Sequence, residues 1–351
     1  MIIGFIFERK KPLQKTTFLY LFVLFFLLML VGCQKKADQV QKMNQKTIGI
    51  VYDLGGLGDK SFNDGVARGA EKAKKNFGVK VLGVESKTAN DFETNIRSLV
   101  EQDVDLIINV GSMQKNALQK MAKEHPKQKF LLVDTYLDAE NVRSLTFKEH
   151  EGSFLAGYLA GLMSNKIGFI AGMKLPVIMK FYTGYVAGAK TANKNIEVIS
   201  PKFLGGWSDI NGGKVAADIL YNQGADVIYQ VASRAGLGVL KSAQENGKYA
   251  IGVDSDQDHL YPGAVLTSMI KNADQAVFSS IKDLIEGQFD FGQKHFGLKE
   301  EGVGLSKMLY TKKVIGPVKL TKINDIRQQI LQGKITVPSN EVELSNYLSE
   351  L

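Results

Sequence analysis

The stretch of sequence with the clearest chemical potential is DLGGLGDKSFND (53–64), which follows the apolar run Ile48–Tyr52. A glycine-rich turn between a strand and a helix commonly binds phosphate through backbone N–H groups. This turn departs from the phosphate-binding patterns: Asp59 separates the last glycine from Lys-Ser, and Ser61 stands where a dinucleotide-binding turn has its third glycine. Asp53 and Asp59 would also repel a phosphate at close range. We therefore exclude a phosphate site here.

The side chains that remain suit a flat, uncharged ligand with polar edges. Asp53 ends a strand, and a helix is predicted to begin at Lys60-Ser61-Phe62-Asn63, with Ser61 as its N-cap. An aromatic ring beside an amide at the mouth of a crevice favours an aromatic ligand. Phe62 could equally be a core residue, and the residues alone leave both interpretations open.

The sequence gives little support for metal binding or for catalysis. Asp254-Ser255-Asp256 is an acidic pair without further acidic neighbours, whereas divalent cations need several oxygen ligands. The four histidines follow no zinc-binding spacing, and no G-x-S-x-G nucleophile motif occurs. We therefore expect no catalytic residue, no metal site and no cofactor.

The N-terminal sequence has the pattern that is typical of a lipoprotein leader. Basic residues precede the apolar run Phe18–Val31, which is shorter than the roughly 20 residues of a bilayer span. The run closes in LVGC, which resembles a lipobox ending at Cys33, the only cysteine in the chain. We expect a signal peptide over 1–32, diacylation of Cys33 and a flexible tether over 33–46. An incidental thiol in an uncleaved anchor is the alternative.

The net charge of the chain and its distribution indicate which kinds of binding partner are compatible with the sequence. The net charge of the chain is +8, and the leader carries four basic residues and one acidic residue, so the mature chain is near +5. We find no basic cluster interleaved with aromatic residues, and this excludes nucleic-acid binding. A spread of positive charge favours proximity to anionic lipid or glycan.

From residue 47 onward, apolar β-rich runs alternate with helical patterns. Ten strands are predicted, over 48–52, 79–84, 104–110, 129–134, 142–147, 167–172, 196–200, 225–231, 249–254 and 264–270. Runs that are apolar on both faces and joined by helices indicate parallel sheets covered on both sides. Ten strands exceed one doubly wound sheet, so we expect two Rossmann-like lobes with a ligand crevice at the strands' carboxyl ends. Ser112, Met113 and Asp134 end the third and fourth strands and are expected to face that crevice.

Several long segments together resemble one family. They are DLGGLGDKSFND, FKEHEGSFLAGYLAGL (147–162), GFIAGMKLPVIMKFYTGYVAG (168–188), GADVIYQVAS (224–233) and YAIGVDSDQ (249–257). The chain resembles the basic membrane protein (Bmp) family of bacterial lipoproteins, which includes PnrA-like purine nucleoside receptors and spirochaete Bmp antigens. The likeness runs from about Ile48 to Leu305 and implies an α/β, type I periplasmic-binding-protein fold with a hinged cleft. We place one lobe at 47–145 plus 269–290 and the other at 146–268 plus 291–351.

The resemblance also implies a purine nucleoside in the cleft. Phe62 matches the aromatic residue that stacks on the base, and Asn63 matches the side chain that reads the base edge. Asp53 and Asp254 look like cleft carboxylates, and Asp254 and Lys271 are the candidates for the ribose hydroxyls. We include Lys60 and Ser61, at the helix start, in the expected site.

A second ring is expected from the other lobe. In GGWSDINGG (205–213) the family usually has Phe where this chain has Trp207, its only tryptophan, so stacking should be preserved. The segment SRAG (233–236) places Arg234 where the family is normally small and glycine-rich. Gly236, at the end of that segment, is included among the expected nucleoside contacts.

Together, these observations predict a membrane-anchored substrate-binding lipoprotein on the periplasmic or cell-surface side. It would bind adenosine-, guanosine- or inosine-class nucleosides and feed an ABC permease, without catalysis. Two alternatives stay open. One is a surface adhesin whose basic faces bind host extracellular matrix or glycan; the other is a nucleoside-acting enzyme, which would need more carboxylates than Asp53 and Asp59.

Overall fold

Two largely parallel β-sheets form the framework of the protein in this computed structural model, which describes Gly4 and residues 45–351. Apart from Gly4, the predicted signal peptide lies outside the described residues, as do Cys33 and most of the predicted tether, so lipidation stays a prediction. In the part that the structure describes, no helix is both long enough and apolar enough to cross a bilayer.

The elements are numbered here from the first described one. The strands are β1 (Thr47–Val51), β2 (Lys80–Val84), β3 (Leu106–Val110), β4 (Phe130–Val133), β5 (Val142–Phe147), β6 (Lys166–Ala171), β7 (Glu197–Val198), β8 (Lys202–Phe203), β9 (Val227–Val231), β10 (Tyr249–Asp254), β11 (Val265–Lys271), β12 (Gly292–Phe296) and β13 (Val303–Leu305). The helices are α1 (Phe62–Phe77), α2 (Asp91–Glu101), α3 (Lys115–Glu124), α4 (Glu149–Met163), α5 (Pro176–Ala192), α6 (Ile210–Asn222), α7 (Gly236–Glu245), α8 (Ala273–Ile285), α9 (Lys312–Ile315), α10 (Pro317–Leu331) and α11 (Glu341–Glu350).

Within residues 45–351, the first sheet has the strand order β12-β5-β4-β3-β1-β2 and is parallel throughout. The second has the order β13-β11-β10-β9-β6-β7, with β8 also paired to β6, and only β13 runs antiparallel to its neighbour. The strands β3 and β9 are buried along their whole length because helices cover both faces of each sheet. The predicted α/β fold with two parallel-sheet lobes is confirmed.

Sheet membership and the expected lobe bounds do not coincide everywhere. Strand β12 belongs to the first sheet although the expected boundary stood at residue 290, and β11 stays in the second sheet through Lys271. The sequence GQKHF of β12 alternates between exposed and half-buried residues at a sheet edge, so it has no apolar run that would predict it. The division into lobes as separate domains stays a prediction.

A buried arginine fixes the segment that crosses between the sheets. Arg143, on β5, donates from Nη1 to Asp283 at 2.7 Å and from Nε to the carbonyl of Asp290 at 2.8 Å. Its guanidinium also lies 4.0 Å from the ring centroid of Phe289. These bonds satisfy a charge that is removed from water, and they attach the end of α8 and the segment after it to the first sheet.

Candidate functional site

A cavity of about 510 Å³, counting its opening to solvent, lies where the carboxyl ends of the strands of both sheets meet. Eight of the residues predicted from the sequence line it: Asp53, Phe62, Ser112, Met113, Asp134, Trp207, Asp254 and Lys271. Strand ends position most of them because parallel strands point their carboxyl ends toward the same edge of a sheet. The predicted crevice residues are therefore brought together by the topology.

Four predicted residues, Lys60, Ser61, Asn63 and Gly236, are not part of the cavity lining within the described chain. The ammonium group of Lys60 points to solvent, 4.0 Å from Asp64. The amide of Asn63 is used inside the protein, since its Oδ1 accepts the backbone N–H of Asp53 at 2.9 Å and its Nδ2 donates to Asp59 at 3.1 Å. This placement differs from the expected role of Asn63 at the edge of a base.

Ser61 and Gly236 contact the residues around the cavity without bordering it themselves. Ser61 Oγ donates to Asp254 Oδ2 at 2.6 Å and so orients a carboxylate that does border the cavity. Gly236 begins α7 against Gln230, and a Cβ at this glycine would lie 1.8 Å from Gln230 Oε1. The glycine is needed for this close packing.

The glycine turn holds one of the protein's own carboxylates. Asp59 is fully buried, and it accepts the backbone N–H groups of Ser61 at 2.9 Å, Asn63 at 3.0 Å and Asp64 at 3.1 Å. The anion-binding position at the start of α1 is thus filled from within the chain. Ser61 is at the N-cap as predicted, but its side chain makes no capping hydrogen bond, because Asp59 accepts the N–H groups at the start of the helix.

Two glycines permit the backbone around this turn to come close to other groups. Gly56 has φ 66°, and a Cβ there would lie 2.7 Å from Glu85 Oε2. Gly111 has φ 98°, and a Cβ there would lie 2.7 Å from Asp53 Oδ2. A larger residue at position 111 would therefore displace the carboxylate of Asp53 from the cavity.

Aromatic rings from helices and loops that adjoin both sheets line the same cavity. Phe62, 8% exposed, belongs to the hydrophobic core and borders the cavity as well, and its contact with a ligand stays a prediction. Trp207 packs on Gly172, where a Cβ would lie 2.2 Å from its Cε3. Its indole Nε1 is buried and has no acceptor within the described chain. Phe181, at the start of α5, adds a third ring.

Charged groups converge beside these rings. Lys271 Nζ lies 2.7 and 2.9 Å from the two oxygens of Asp134, 3.7 Å from Asp254 Oδ1 and 4.4 Å from the ring centroid of Phe62. The buried Asp254 Oδ1 accepts no hydrogen bond from any described residue. Asp53 contributes a third carboxylate to the lining, so carboxylates outnumber the ammonium group.

Burial governs the protonation of these groups. Burial raises the pKa of Asp53 to about 7, against a hydrogen bond from the Leu54 N–H that lowers it. Burial likewise raises the pKa of Asp254, which the Lys271 charge and the Ser61 hydroxyl oppose. Burial alone would lower the pKa of Lys271, but Asp134 and Asp254 outweigh it and raise that pKa. Lys271 is therefore a permanent cation at neutral pH.

Backbone strain marks the same strand ends. Asp134 has φ 82°, Ser233 has φ 50° and Asp254 has φ 63°, although none is glycine. The left-handed region costs an L-residue roughly 1–3 kcal/mol. Such strain persists where the surrounding structure holds it, and here it turns two carboxylates toward the cavity.

Several lining residues were not predicted from the sequence. They are Gly111, Leu175, Val177, Ile178, Phe181, Val231 and Ser233. Four of them belong to LPVIMKF, which reads as the apolar start of a helix. The proline at the first position of α5 and the extended residue before it were the available signal that the helix begins at the cleft.

Comparison with known proteins identifies the family. The family model described as "ABC transporter substrate-binding protein PnrA-like" matches residues 46–341. The chain belongs to this family. The Bmp-type resemblance seen in the sequence is confirmed, and membership supports a substrate-binding role.

Individual relatives agree with this assignment. The chain is 32% identical over 342 residues to basic membrane protein D of Borreliella burgdorferi strain JD1, covering 95% of this chain and 98% of the relative. It is 34% identical over 338 residues to the ABC transporter nucleoside-binding protein BmpA of Lactococcus lactis subsp. cremoris, covering 88% and 95%. A solved ABC transporter solute-binding protein from Aeropyrum pernix K1 superposes with a TM-score of 0.79 at 28% identity, covering 87% and 97%. This neighbour confirms the periplasmic-binding-protein-like fold.

Proposed function

We propose that the protein is a non-catalytic, lipid-anchored receptor that binds a purine nucleoside between its two sheets and delivers it to an ABC importer. The observation that carries the proposal is that Phe62, at the start of the helix that follows β1, and Trp207, in the loop that follows β8, line one cavity together with Asp254 and Lys271. The nucleoside-binding relative from Lactococcus lactis supports the choice of ligand class.

The rings and the apolar side chains suit the base. Stacking of a base on an aromatic side chain contributes about 1–3 kcal/mol, and it tolerates any flat heterocycle. Leu175, Val177 and Ile178 surround the rings with apolar surface, which excludes water from the stack. The unpartnered Nε1 of Trp207 offers a hydrogen bond to a ring nitrogen or an exocyclic oxygen.

The charged groups suit the sugar. A ribose hydroxyl can donate to Asp254 Oδ1, which otherwise accepts no hydrogen bond from the described residues, while Lys271 can donate to a hydroxyl oxygen. Hydrogen bonds to charged groups contribute roughly 1.5–3 kcal/mol each. Neither group offers a site for a phosphate, because Asp53, Asp134 and Asp254 would repel it. The proposed ligand is therefore a nucleoside and not a nucleotide.

Isothermal titration calorimetry of the full chain in detergent, with adenosine, guanosine and inosine, tests the ligand. We expect heat and a change in Trp207 fluorescence with at least one of them, and a much weaker response to the matching 5′-monophosphate. Chromatography of the same mixtures should show no released base. Silence with all three nucleosides in both measurements would overturn the proposal, and free base would favour the enzyme alternative.

A further inference from the structure

We propose that Arg234 is a positioning residue that latches the two lobes together over a bound ligand and thereby sets the rate at which the ligand leaves. Arg234 lies after β9 of the second sheet, in a short 3₁₀ turn (Ser233–Ala235). The kinetic part of this proposal rests on the proposed function, whereas the contact itself does not.

The two lobes bind the same residue, Leu57, through its two backbone polar groups. Arg234 Nη2 donates to the carbonyl oxygen of Leu57, in the glycine turn of the first lobe. Glu85, which follows β2, accepts the N–H of the same Leu57 at 3.1 Å. The first lobe therefore holds the turn in place from one side, and the second lobe binds it from the other.

The neighbouring residues of the turn are also bonded across the lobes. Ser233 Oγ donates to Asp59 Oδ2 at 2.9 Å, and Gln257 Nε2 donates to the carbonyl of Lys60 at 3.1 Å. Further along, Ser255 Oγ donates to the carbonyl of Ser61 at 3.0 Å. Separation of the lobes must break all of these bonds. The turn and its partners in the second lobe therefore form the seam, the contact surface along which the cleft closes.

Two features suit Arg234 to this role. It does not line the cavity in the described part of the chain, so its removal leaves the ligand's own contacts unchanged. It also lies close against the turn: Cβ atoms built at Gly56 and Gly58 would be in ordinary van der Waals contact with its Nη2, at 3.4 and 3.9 Å. The glycine-rich turn thus provides a place for a guanidinium from the opposite lobe.

A latch of this kind acts mainly on dissociation. The ligand meets the open cleft before the Arg234 contact forms, whereas it leaves only after that contact has broken. Within one binding site, most changes in affinity appear in the dissociation rate. Loss of one charge-assisted hydrogen bond at a partly exposed position should accelerate release by about fivefold.

Stopped-flow Trp207 fluorescence of the full chain in detergent, with adenosine, guanosine and inosine as probes, measures both rates. We expect Arg234→Gln to raise the dissociation rate about fivefold while the association rate stays within about twofold. Arg234→Lys keeps the charge and a donor, so it should fall between the wild type and Arg234→Gln. Arg327→Gln, an arginine change on α10, is the matched control and should behave as the wild type. An unchanged dissociation rate in Arg234→Gln, or an effect confined to association, would overturn the latch.

Hydrogen–deuterium exchange without added nucleoside tests the contact by itself. Peptides that cover residues 53–62 should exchange faster in Arg234→Gln than in the wild type and in Arg327→Gln, because the glycine turn loses its outer support. Equal exchange would overturn the latch whatever the ligand is. If no nucleoside binds the wild type but exchange still increases, the proposed function fails and the latch stands.

Discussion

Lys271 Nζ lies 2.7 Å from Oδ1 and 2.9 Å from Oδ2 of Asp134, joining the end of β11 in one sheet to the end of β4 in the other. The two side chains are 2% and 10% exposed, so the pair is removed from water. Both residues border the cavity. The ion pair therefore joins the two sheets directly beside the cavity.

Removal of the Lys271 ammonium group should lower the free energy of unfolding. Lys271→Met leaves the Asp134 and Asp254 carboxylates buried without their cation, and breaking one side of a buried pair costs about 3–5 kcal/mol. We expect a loss of unfolding free energy of that order in urea denaturation of the full chain. The exposed-lysine change Lys307→Met should cost little, and the double variant Lys271→Met/Asp134→Asn should recover part of the loss. Equal stability of the two single variants would contradict this account.

The raised pKa of Asp53 predicts a specific dependence of stability on pH. Between an unfolded pKa near 3.8 and a folded pKa of about 7, the folded protein holds more protons at this group than the unfolded chain. Its contribution to stability is therefore fully present below pH 4 and is lost as the pH rises through 7. Asp53→Asn removes this loss. The unfolding free energy of the variant should therefore rise by about 1–3 kcal/mol relative to the wild type between pH 4.5 and pH 8. We set this energy below the value of the full pKa shift because the carboxylate borders the cavity.

Urea denaturation at pH 4.5, 6 and 8 measures this difference. Burial also raises the pKa of Glu149 to about 7, so both proteins share that background slope and only their difference is informative. Asp325→Asn, on α10, is the control and should run parallel to the wild type. A constant difference between Asp53→Asn and the wild type at all three pH values would contradict the prediction.

Phe62 should affect both binding and packing. Phe62→Ala removes the stacking face and should weaken nucleoside binding by about ten- to a hundredfold. It also leaves a hole in the core, so a loss of about 3–5 kcal/mol in unfolding free energy should accompany it. Phe62→Leu keeps most of the apolar volume and separates the two effects: calorimetry should still show weakened binding while stability largely recovers. Full affinity in Phe62→Leu would show that the ring contributes packing alone.

The internal carboxylate of the glycine turn should be essential for local structure. Asp59→Asn replaces one acceptor oxygen by an NH₂ group that must face backbone N–H donors. Leaving a buried donor unsatisfied costs about 1–3 kcal/mol, and chemical denaturation should show a loss of that size. Asp64 accepts the N–H groups of Gly58 and Lys60 at 2.7 and 3.0 Å but is more exposed, so Asp64→Asn should cost less. The reverse order of stabilities would count against the role of Asp59.

The sugar contacts predict a preference for ribose. A 2′-deoxynucleoside lacks one hydroxyl, so a buried carboxylate or ammonium at the site loses a partner, and rejection of such an analogue is strong. We expect calorimetry to show weaker binding of 2′-deoxyadenosine than of adenosine. Asp254→Asn should reduce the difference between the two ligands. Comparable affinities for both ligands in the wild type would remove the sugar-binding role from these groups.

The fold was largely predictable from residue patterns. All ten predicted strands are present, because continuous apolar runs bounded by helices have few other interpretations. Three other strands were missed: β8 has two residues, and β12 and β13 carry polar or glycine-rich sequences that gain their pairing from neighbours. The helices α9, α10 and α11 were also not predicted, since they pack on the second lobe through a few apolar residues each.

The sequence by itself determined which side chains stand at strand ends, and hence most of the cavity lining, since a parallel sheet sends successive strand ends to one edge. It also determined the family. Only the tertiary structure decided how those groups are used. Asn63 and Asp59 turned inward to satisfy the start of α1, Lys271 paired across the lobes with Asp134, and Arg234 reached the glycine turn. Each of these outcomes is a competition for hydrogen-bond partners between residues distant in sequence, and that competition is settled only when the two sheets lie face to face.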